Sequence, residues 1–413
     1  MTDITVFGTT DERTMQQALD VSSRALHVAL MADNHLGYIM PIGGVASYDN
    51  QVSVAGVGFD IGCGNLALQL SVKWEEVADR ASELADEIAS SISFGVGRVN
   101  TTDDSALRDH DIFDDDHWHI VPAEHREALR EKARAQLGTV GSGNHYVDIF
   151  EDENGWTWVG VHFGSRGLGH TIASNFMALA QGKPWGTRVQ EAEALLSLDT
   201  DLGSGYWEMM ELAGRYAKIG REWVALRVKD IIGAGAAQIV HNHHNFAWHE
   251  HHLIDGELRP VVVIRKGATP AWPGERGFVG GSMGDAAYII SGAYPSTEGT
   301  SLDLQRSALF STVHGAGRVM SRSQAKGSRP KFNKETGERR QARKGQITRQ
   351  MMSEWTRDRG VIVRGGDVDE SPHCYRRLDD VLASQAGTIN ILHRLEPRIV
   401  VMAGANVRDP YKD

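Results

Sequence analysis

The sequence predicts a mixed α/β protein without the regular β–α–β rhythm of a doubly wound fold. Three observations carry that expectation. Short apolar segments ending in glycine turns recur along the chain, three longer segments have helical periodicity, and the two kinds do not alternate strictly.

In chain order, "QVSVAGVGFDI" (51–61) reads as the first such strand. In "EEVADRASELADEIASSI" (75–92), Val77, Ala81, Leu84 and Ile88 repeat at spacings of four, three and four, which puts them on one face of a helix. "TTDDSALRDHDIFDDDHWH" (101–119) is acidic and reads as an exposed loop. "PAEHREALREKARAQLG" (122–138) is a helix with Pro122 at its start and Gly138 at its stop. "GNHYVDIF" (143–150) and "WTWVGVHF" (156–163) follow as strands. "GYWEMMELAGRYAKIGREWVALRVKDII" (205–232) reads as one long helix, weakened at Gly214 and Gly220. "RPVVVIRKG" (259–267), "AAYIISG" (286–292) and "RIVVMAG" (398–404) complete the strands.

With 413 residues, 41% of them hydrophobic, the chain is long enough to bury a large core. A net charge of −11 argues against a generally basic nucleic-acid coat but not against a local basic patch. The best candidate for such a patch is 326–349, with nine Lys or Arg against two Glu; it reads equally as a solvated insertion or a phosphate-backbone contact. Two cysteines, Cys63 and Cys374, are too few for a disulfide framework. Neither a signal peptide nor a membrane-spanning run is visible, so a reducing cytoplasm without a membrane partner is expected. There Cys63 can serve as a thiolate ligand.

Five motifs bear chemistry. In "GVGFDIGCGNLAL", Asp60 and Cys63 sit three apart on a glycine-flanked turn, either as a turn aspartate and a small buried cysteine or as a ligand pair. Thiolate, carboxylate and imidazole together suit Mn, Fe, Co or Zn rather than Mg or Ca. "LGTVGSGNHYVDIFE" and "VGVHFGSRGLGHTIA" each place a histidine, His145 and His162, where a strand meets glycines. Backbone N–H groups at such turns are free to bind anions. "HNHHNFAWHEHH" (241–252) holds six histidines in twelve residues, most of them expected to be solvated or locally hydrogen-bonded. In "FSTVHGAGRVMSRSQA", His314 precedes Gly315, Ala316 and Gly317, and Arg318 and Arg322 are four apart. On a helix the two arginines would face the same way, as surface residues or as a phosphate clamp. Read from the residues alone, these motifs support a transition-metal site beside an anion site, and point to phosphoryl or nucleotidyl transfer with histidine as a covalent carrier.

The series "HLGYIMPIGGV … VGFDIGCG … GNHYVD … HFGSRGLG … HHNFA … RKGAT … GGSMG … HGAGRVMSR" resembles the RtcB family of 3′-phosphate RNA ligases over nearly the whole chain. The resemblance implies a single α/β catalytic domain over 1–413, with sheets and helices around a central metal cleft. It implies two Mn²⁺ ions, one held by Cys63, His162 and His244, the other by Asp60, Cys63 and His145 with the thiolate bridging. His244 is thereby the ligand of the histidine-rich tract. His314 matches the histidine that GTP guanylylates; the GMP then activates an RNA 3′-phosphate for attack by a 5′-hydroxyl end. A 2′,3′-cyclic phosphate is first opened to the 3′-phosphate. Asn144, Asp148, Asn245, Gly281, Ser282, Met283 and His314 to Gly317 fall at nucleotide-binding positions, Arg318 and Arg322 at phosphate or RNA contacts, and Asp33 and His35 just behind the site.

The chain also departs from that pattern. The family ends in a Lys-Gly whose lysine reaches the guanine, whereas "VVMAGANVRDPYKD" puts Met402 or Ala403 there and Lys412 out of register. A serine of the family is Ala287, a glutamate is Asp148, and "MPDxH" has become "MADNH". The metal and histidine positions are kept while the base-recognition positions have drifted, as in a divergent paralogue. Two other readings stand beside RNA ligation: a nucleotide-independent binuclear-metal phosphodiesterase on RNA ends, and a catalytically silent RNA-end-binding protein.

Overall fold

The computed structural model describes residues 4–295, 302–328, 331–332, 339–340 and 342–407. Of the basic stretch 326–349, residues 329–330, 333–338 and 341 lie outside these, as does Lys412.

Twelve strands build the surroundings of the site: β1 (His27–His35), β2 (Ile42–Tyr48), β3 (Gly64–Lys73), β4 (Tyr146–Asp152), β5 (Trp156–Phe163), β6 (Ala236–His243), β7 (Asn245–Ile254), β8 (Glu257–Lys266), β9 (Arg276–Val279), β10 (Ala287–Gly292), β11 (Ser311–Val313) and β12 (Ile389–Gly404). The larger sheet runs β9-β10-β12-β4-β5-β3-β6, with Ile362–Gly366 paired parallel to β12. Its two ends approach each other, since Phe278 N on β9 donates to Asn242 Oδ1 on β6 at 2.8 Å. A second sheet runs β1-β2-β8-β7, with Thr5–Val6 outside β1.

Both faces of the larger sheet are buried, which is why its strands read as near-continuous apolar runs. Leu66, Leu68, Leu70, Val147, Ile149, Val159 and Val161 share one face. Ala67, Phe150, Trp158, Phe278 and Leu395 fill the other. Burying each large side chain of this kind is worth about 1.5–3 kcal/mol. The first face is covered by Leu84 and Ile88 of the helix Ala81–Ser91 and by Val224 and Val228 of a long helix. We name the main helices α1 (Ala123–Gln136), α2 (Arg166–Ala180) and α3 (Asp201–Ile232).

Several expectations are corrected. The segment 51–61 is a strand only over Gln51–Ser53; Ser53 Oγ then accepts from Gly56 N and starts a helical turn, Val54–Val57. The helix over 75–92 is broken by a 3₁₀ turn at Ala78–Arg80, although Val77, Ala81, Leu84 and Ile88 all stay buried. The acidic stretch 101–119 is not a plain exposed loop. It folds into the short helix Ser105–Arg108 and two 3₁₀ turns, and buries Leu107, Ile112, Phe113 and Trp118. Its acids cap these turns: Asp104 accepts from Ala106 N and Asp115 from His117 N. Conversely, α3 runs unbroken through Gly214 and Gly220. A Cβ on Gly214 would lie 2.6 Å from Phe246, so the glycine makes room for close packing there.

β6 and β7 belong to different sheets and only His244 separates them. The histidine-rich tract therefore turns the corner between the two sheets at that residue, and the site lies at this corner.

Candidate active site

Cross-strand register places one row of side chains across the rim of the larger sheet. Asn242 is opposite Asn65, Asn65 opposite His162, His162 opposite Tyr146, and Tyr146 opposite Met402. Within the row, Asn65 Nδ2 donates to Phe278 O at 2.9 Å, which turns Oδ1 toward His162 Nδ1 at 2.6 Å. His162 Nδ1–H must then be the donor, leaving Nε2 a lone pair. The Tyr146 ring stacks on His162 at 5.3 Å. Just beyond the row, Cys63 precedes β3, His145 precedes β4 and His244 follows β6.

These positions converge. Cys63 Sγ is 3.8 Å from Nε2 of both His145 and His162, and His145 Nε2 is 3.1 Å from Asp60 Oδ2. Two donor groups result, Cys63–His162–His244 and Asp60–Cys63–His145, each with its donor atoms within 4.8 Å of one another and both sharing Cys63. His145 Nδ1 and His244 Nδ1 are buried without a hydrogen-bond partner. His145 turns its other nitrogen, Nε2, to Cys63 and Asp60, and a soft-and-hard donor set of this kind fits a transition-metal ion.

The electrostatics agree with that chemistry at the two histidines and at Asp60, and run against it at Cys63, whose thiol needs a cation beside it to ionise. Burial, and after it the charge of His145 in one case and His314 in the other, push His162 and His244 well below the usual imidazole range, so both are neutral and able to ligate. Burial alone would raise Asp60, but the His145 contact and the Arg166 charge outweigh it and bring its pKa down to about 2. Burial and the Asp60 charge push the Cys63 thiol up.

His314 forms the next part of the cleft, its ring 5.0 Å from that of His244. Behind it, Asp33 is fully buried. Asp33 Oδ2 accepts from the backbone N–H of His314 (3.0 Å) and Gly315 (3.2 Å) and lies 2.6 Å from His314 Nδ1. That contact is bent rather than a straight hydrogen bond, yet it leaves Nε2 as the ring nitrogen turned from the carboxylate. His35 Nδ1 donates to Asp33 O, and burial lowers its pKa to about 4, so it too is neutral.

A cleft of about 840 Å³ gathers nearly every residue singled out from the sequence: Asp60, Cys63, Asn144, His145, Asp148, His162, His244, Asn245, Gly281 to Met283, His314 to Arg318, Arg322 and His35 all line it, and Asp33 supports it from behind. The two arginines differ from expectation. They do not share a helix: Arg318 is in a loop and Arg322 opens the helix Arg322–Lys326. Both are held by acids, Arg318 by Glu370 at 3.6 Å and Arg322 by Asp369 at 3.1 Å and by Glu370. Of the six histidines in the tract, His244 alone lines the cleft.

Sequence reasoning missed Asn65, Tyr146, Arg166 and Arg221. Asn65 was within reach, since on a strand the residue two after Cys63 faces the same way. The others carried no local signal. Arg166 holds φ at +55° where α2 begins, a left-handed conformation rare for a side chain of its size.

Compared with known proteins, the family model described as tRNA-splicing ligase RtcB matches residues 16–403. The chain belongs to the RtcB family. It is 30% identical to the RNA-splicing ligase RtcB of Escherichia coli K12, over 91% of this chain and 90% of that protein. It is 29% identical to the tRNA-splicing ligase RtcB of Thermococcus kodakarensis, over 94% and 90%. The RNA-splicing ligase RtcB of Mycobacterium tuberculosis is also 29% identical, over 89% and 94%.

Two of the departures from the RtcB pattern meet at one end of the cleft. Asp148 and Met402 line it together with Val400, Tyr146 and Met283. There Asp148 Oδ1 and Tyr146 Oη are buried without a partner, and burial pushes the Asp148 carboxyl well up. Among the described residues, the lysines and arginines lining the cleft are Arg13, Arg318 and Arg322. Ala287 is different: it is buried inside the larger sheet and does not line the cleft.

Proposed function

We propose that the chain, an RNA ligase by family, joins RNA 3′-phosphate or 2′,3′-cyclic phosphate ends to 5′-hydroxyl ends, using manganese and GTP, through a guanylylated His314. The observation that carries this reading is the pair of donor groups sharing Cys63, with His314 next to His244 in the same cleft. Cys63, His162 and His244 would hold one ion and Asp60, Cys63 and His145 the other. When bound, such ions neutralise charge on phosphoryl oxygens and help activate an attacking oxygen.

The residues divide the remaining work. Asp33 holds the Nδ1 side of His314 and both backbone N–H groups beside it, so that Nε2 faces the cleft for attack on the α-phosphate with loss of pyrophosphate. The RNA 3′-phosphate takes the nucleotide from His314, and a 5′-hydroxyl oxygen then displaces GMP to form the phosphodiester. A phosphate monoester is a poor electrophile until a nucleotide supplies that leaving group. Arg318 and Arg322 offer charge to RNA phosphates once these compete with Glu370 and Asp369. Residues 1–413 act as one catalytic unit in this reading, in a reducing cytoplasm that keeps Cys63 a free thiol.

The test is joining of a 3′-phosphate RNA to a 5′-hydroxyl RNA with manganese and GTP. Wild type should join the ends, and His314→Ala should lose joining by at least about a thousandfold, since it removes the nucleophile outright. Full joining by His314→Ala would refute the proposal. Met402, where the family has its lysine, favours one alternative, a nucleotide-independent phosphodiesterase, since no lysine among the described residues lines the cleft; hydrolysis of cyclic-phosphate ends without nucleotide would decide for it.

A further inference from the structure

One buried cation is tied to the candidate metal site through the backbone and side chains next to its ligands. Arg221, in the middle of α3, is fully buried. Its Nη1 donates to Gly62 O at 2.8 Å and to Phe163 O. Its Nε and Nη2 donate to His241 Nε2 at 3.1 and 2.9 Å, and Nη2 lies 3.0 Å from His243 Nδ1. Gly62 immediately precedes Cys63, Phe163 follows His162, and His243 precedes His244.

We propose that Arg221 is the positioning residue of the metal site, a single guanidinium that fixes the chain beside all three of Cys63, His162 and His244. The inference rests on the metal reading of those residues. Ladder pairing sets the three strands side by side at the sheet rim, with Gly64 opposite both Phe163 and His243, and Arg221 adds side-chain bonds just where that ladder ends and the ligands begin. A planar fork with donors in several fixed directions can meet two carbonyls and the His241 imidazole at once, whereas an ammonium on one flexible stem cannot. None of the hydrogen-bond partners given above is a carboxylate. The acidic groups whose field reaches the guanidinium are Cys63, Asp60 and Glu222. A buried cation so placed is costly unless negative charge lies close by, and the Asp60 carboxylate supplies part of it. The same contacts give His241 and His243 roles other than ligation: His241 accepts from Arg221, and His243 Nδ1 donates to Gly62 O at 3.0 Å, the carbonyl that Arg221 also meets.

The test uses the full chain with Co²⁺ as the probe, comparing wild type, Arg221→Lys and the exposed-site control His249→Gln. Thiolate-to-cobalt charge-transfer absorption reports ligation by Cys63, titration reports affinity, and circular dichroism of the metal-free proteins reports the fold. Arg221→Lys should keep its metal-free spectrum with a lowered melting transition, lose about 10–100-fold in Co²⁺ affinity, and show a weakened or shifted thiolate band. His249→Gln should match wild type. Wild-type affinity and band in Arg221→Lys would overturn the proposal. Should that variant not fold, His241→Leu decides, because it keeps the guanidinium but removes one acceptor: at least threefold weaker cobalt binding supports the proposal and unchanged binding overturns it. If wild type itself shows no thiolate–cobalt band, the metal reading fails instead, and the inference with it.

Discussion

Glu250 carries its charge in the interior beside the second sheet, where Arg265 meets it with two nitrogens at 2.7 and 3.0 Å and His252 with one at 2.7 Å. Burial would raise this carboxyl, but the Arg265 charge and the His252 contact prevail and bring its pKa to about 2, against an ordinary value of 4.5. A folded-state pKa below the unfolded one means that the stabilisation is complete above about pH 4.5 and is lost as pH falls through 2. Its size is on the order of 3 kcal/mol. Glu250→Gln should therefore cost about 3–5 kcal/mol at neutral pH, by leaving Arg265 buried without its counter-charge. The variant should also show a flatter decline in thermal stability between pH 4.5 and 2. A decline as steep as that of wild type would rule the assignment out. At this scale the histidine-rich tract was only partly readable from the sequence. His244 stood out through the resemblance; that His252 belongs to Glu250, His241 to Arg221 and His243 to the Gly62 carbonyl depends on partners that spacing does not reveal.

The elements were readable where one strand or helix has one environment. "WTWVGVHF" coincides with β5, and the Pro122 and Gly138 punctuation brackets α1. The reading failed at 51–61, where the strand gives way to a helical turn, then to Gly58 at φ 90° and Gly62 at φ 68°. That turn seats on α3: a Cβ on Gly62 would lie 2.9 Å from Gly214 Cα, a contact with backbone that has no easy relief. Gly62→Ala should thus destabilise the protein by at least about 1 kcal/mol from the left-handed conformation, with about 1–3 kcal/mol more from overpacking. It should also weaken metal binding, because Gly62 precedes Cys63 and its carbonyl is held by Arg221. Thermal unfolding and cobalt titration check this; wild-type values in both would show that the turn is not constrained as described.

At the scale of the whole molecule, the cleft opens where β6 leaves one sheet and β7 enters the other, so residues more than 250 positions apart, such as Asp60 and His314, share a single wall. Cys63, His145 and His162 were readable because each sits at a strand end marked by glycine or asparagine, whereas Asp60 lies on the turn before its strand and His244 stood out through the resemblance. Asn65 and Arg221 were not, since their roles arise from cross-strand register and helix packing. Arg318 and Arg322 were readable as a pair but not as charges already held by Asp369 and Glu370. The drift at Asp148 and Met402 leaves nucleotide choice as the most direct test of the central proposal. Metal-loaded wild type and His314→Ala should be incubated with each α-labelled nucleoside triphosphate and manganese, and searched for an acid-labile protein–nucleotide adduct. The expected result is an adduct with GTP on wild type and none on His314→Ala; no adduct with any nucleotide would contradict nucleotidyl transfer through His314.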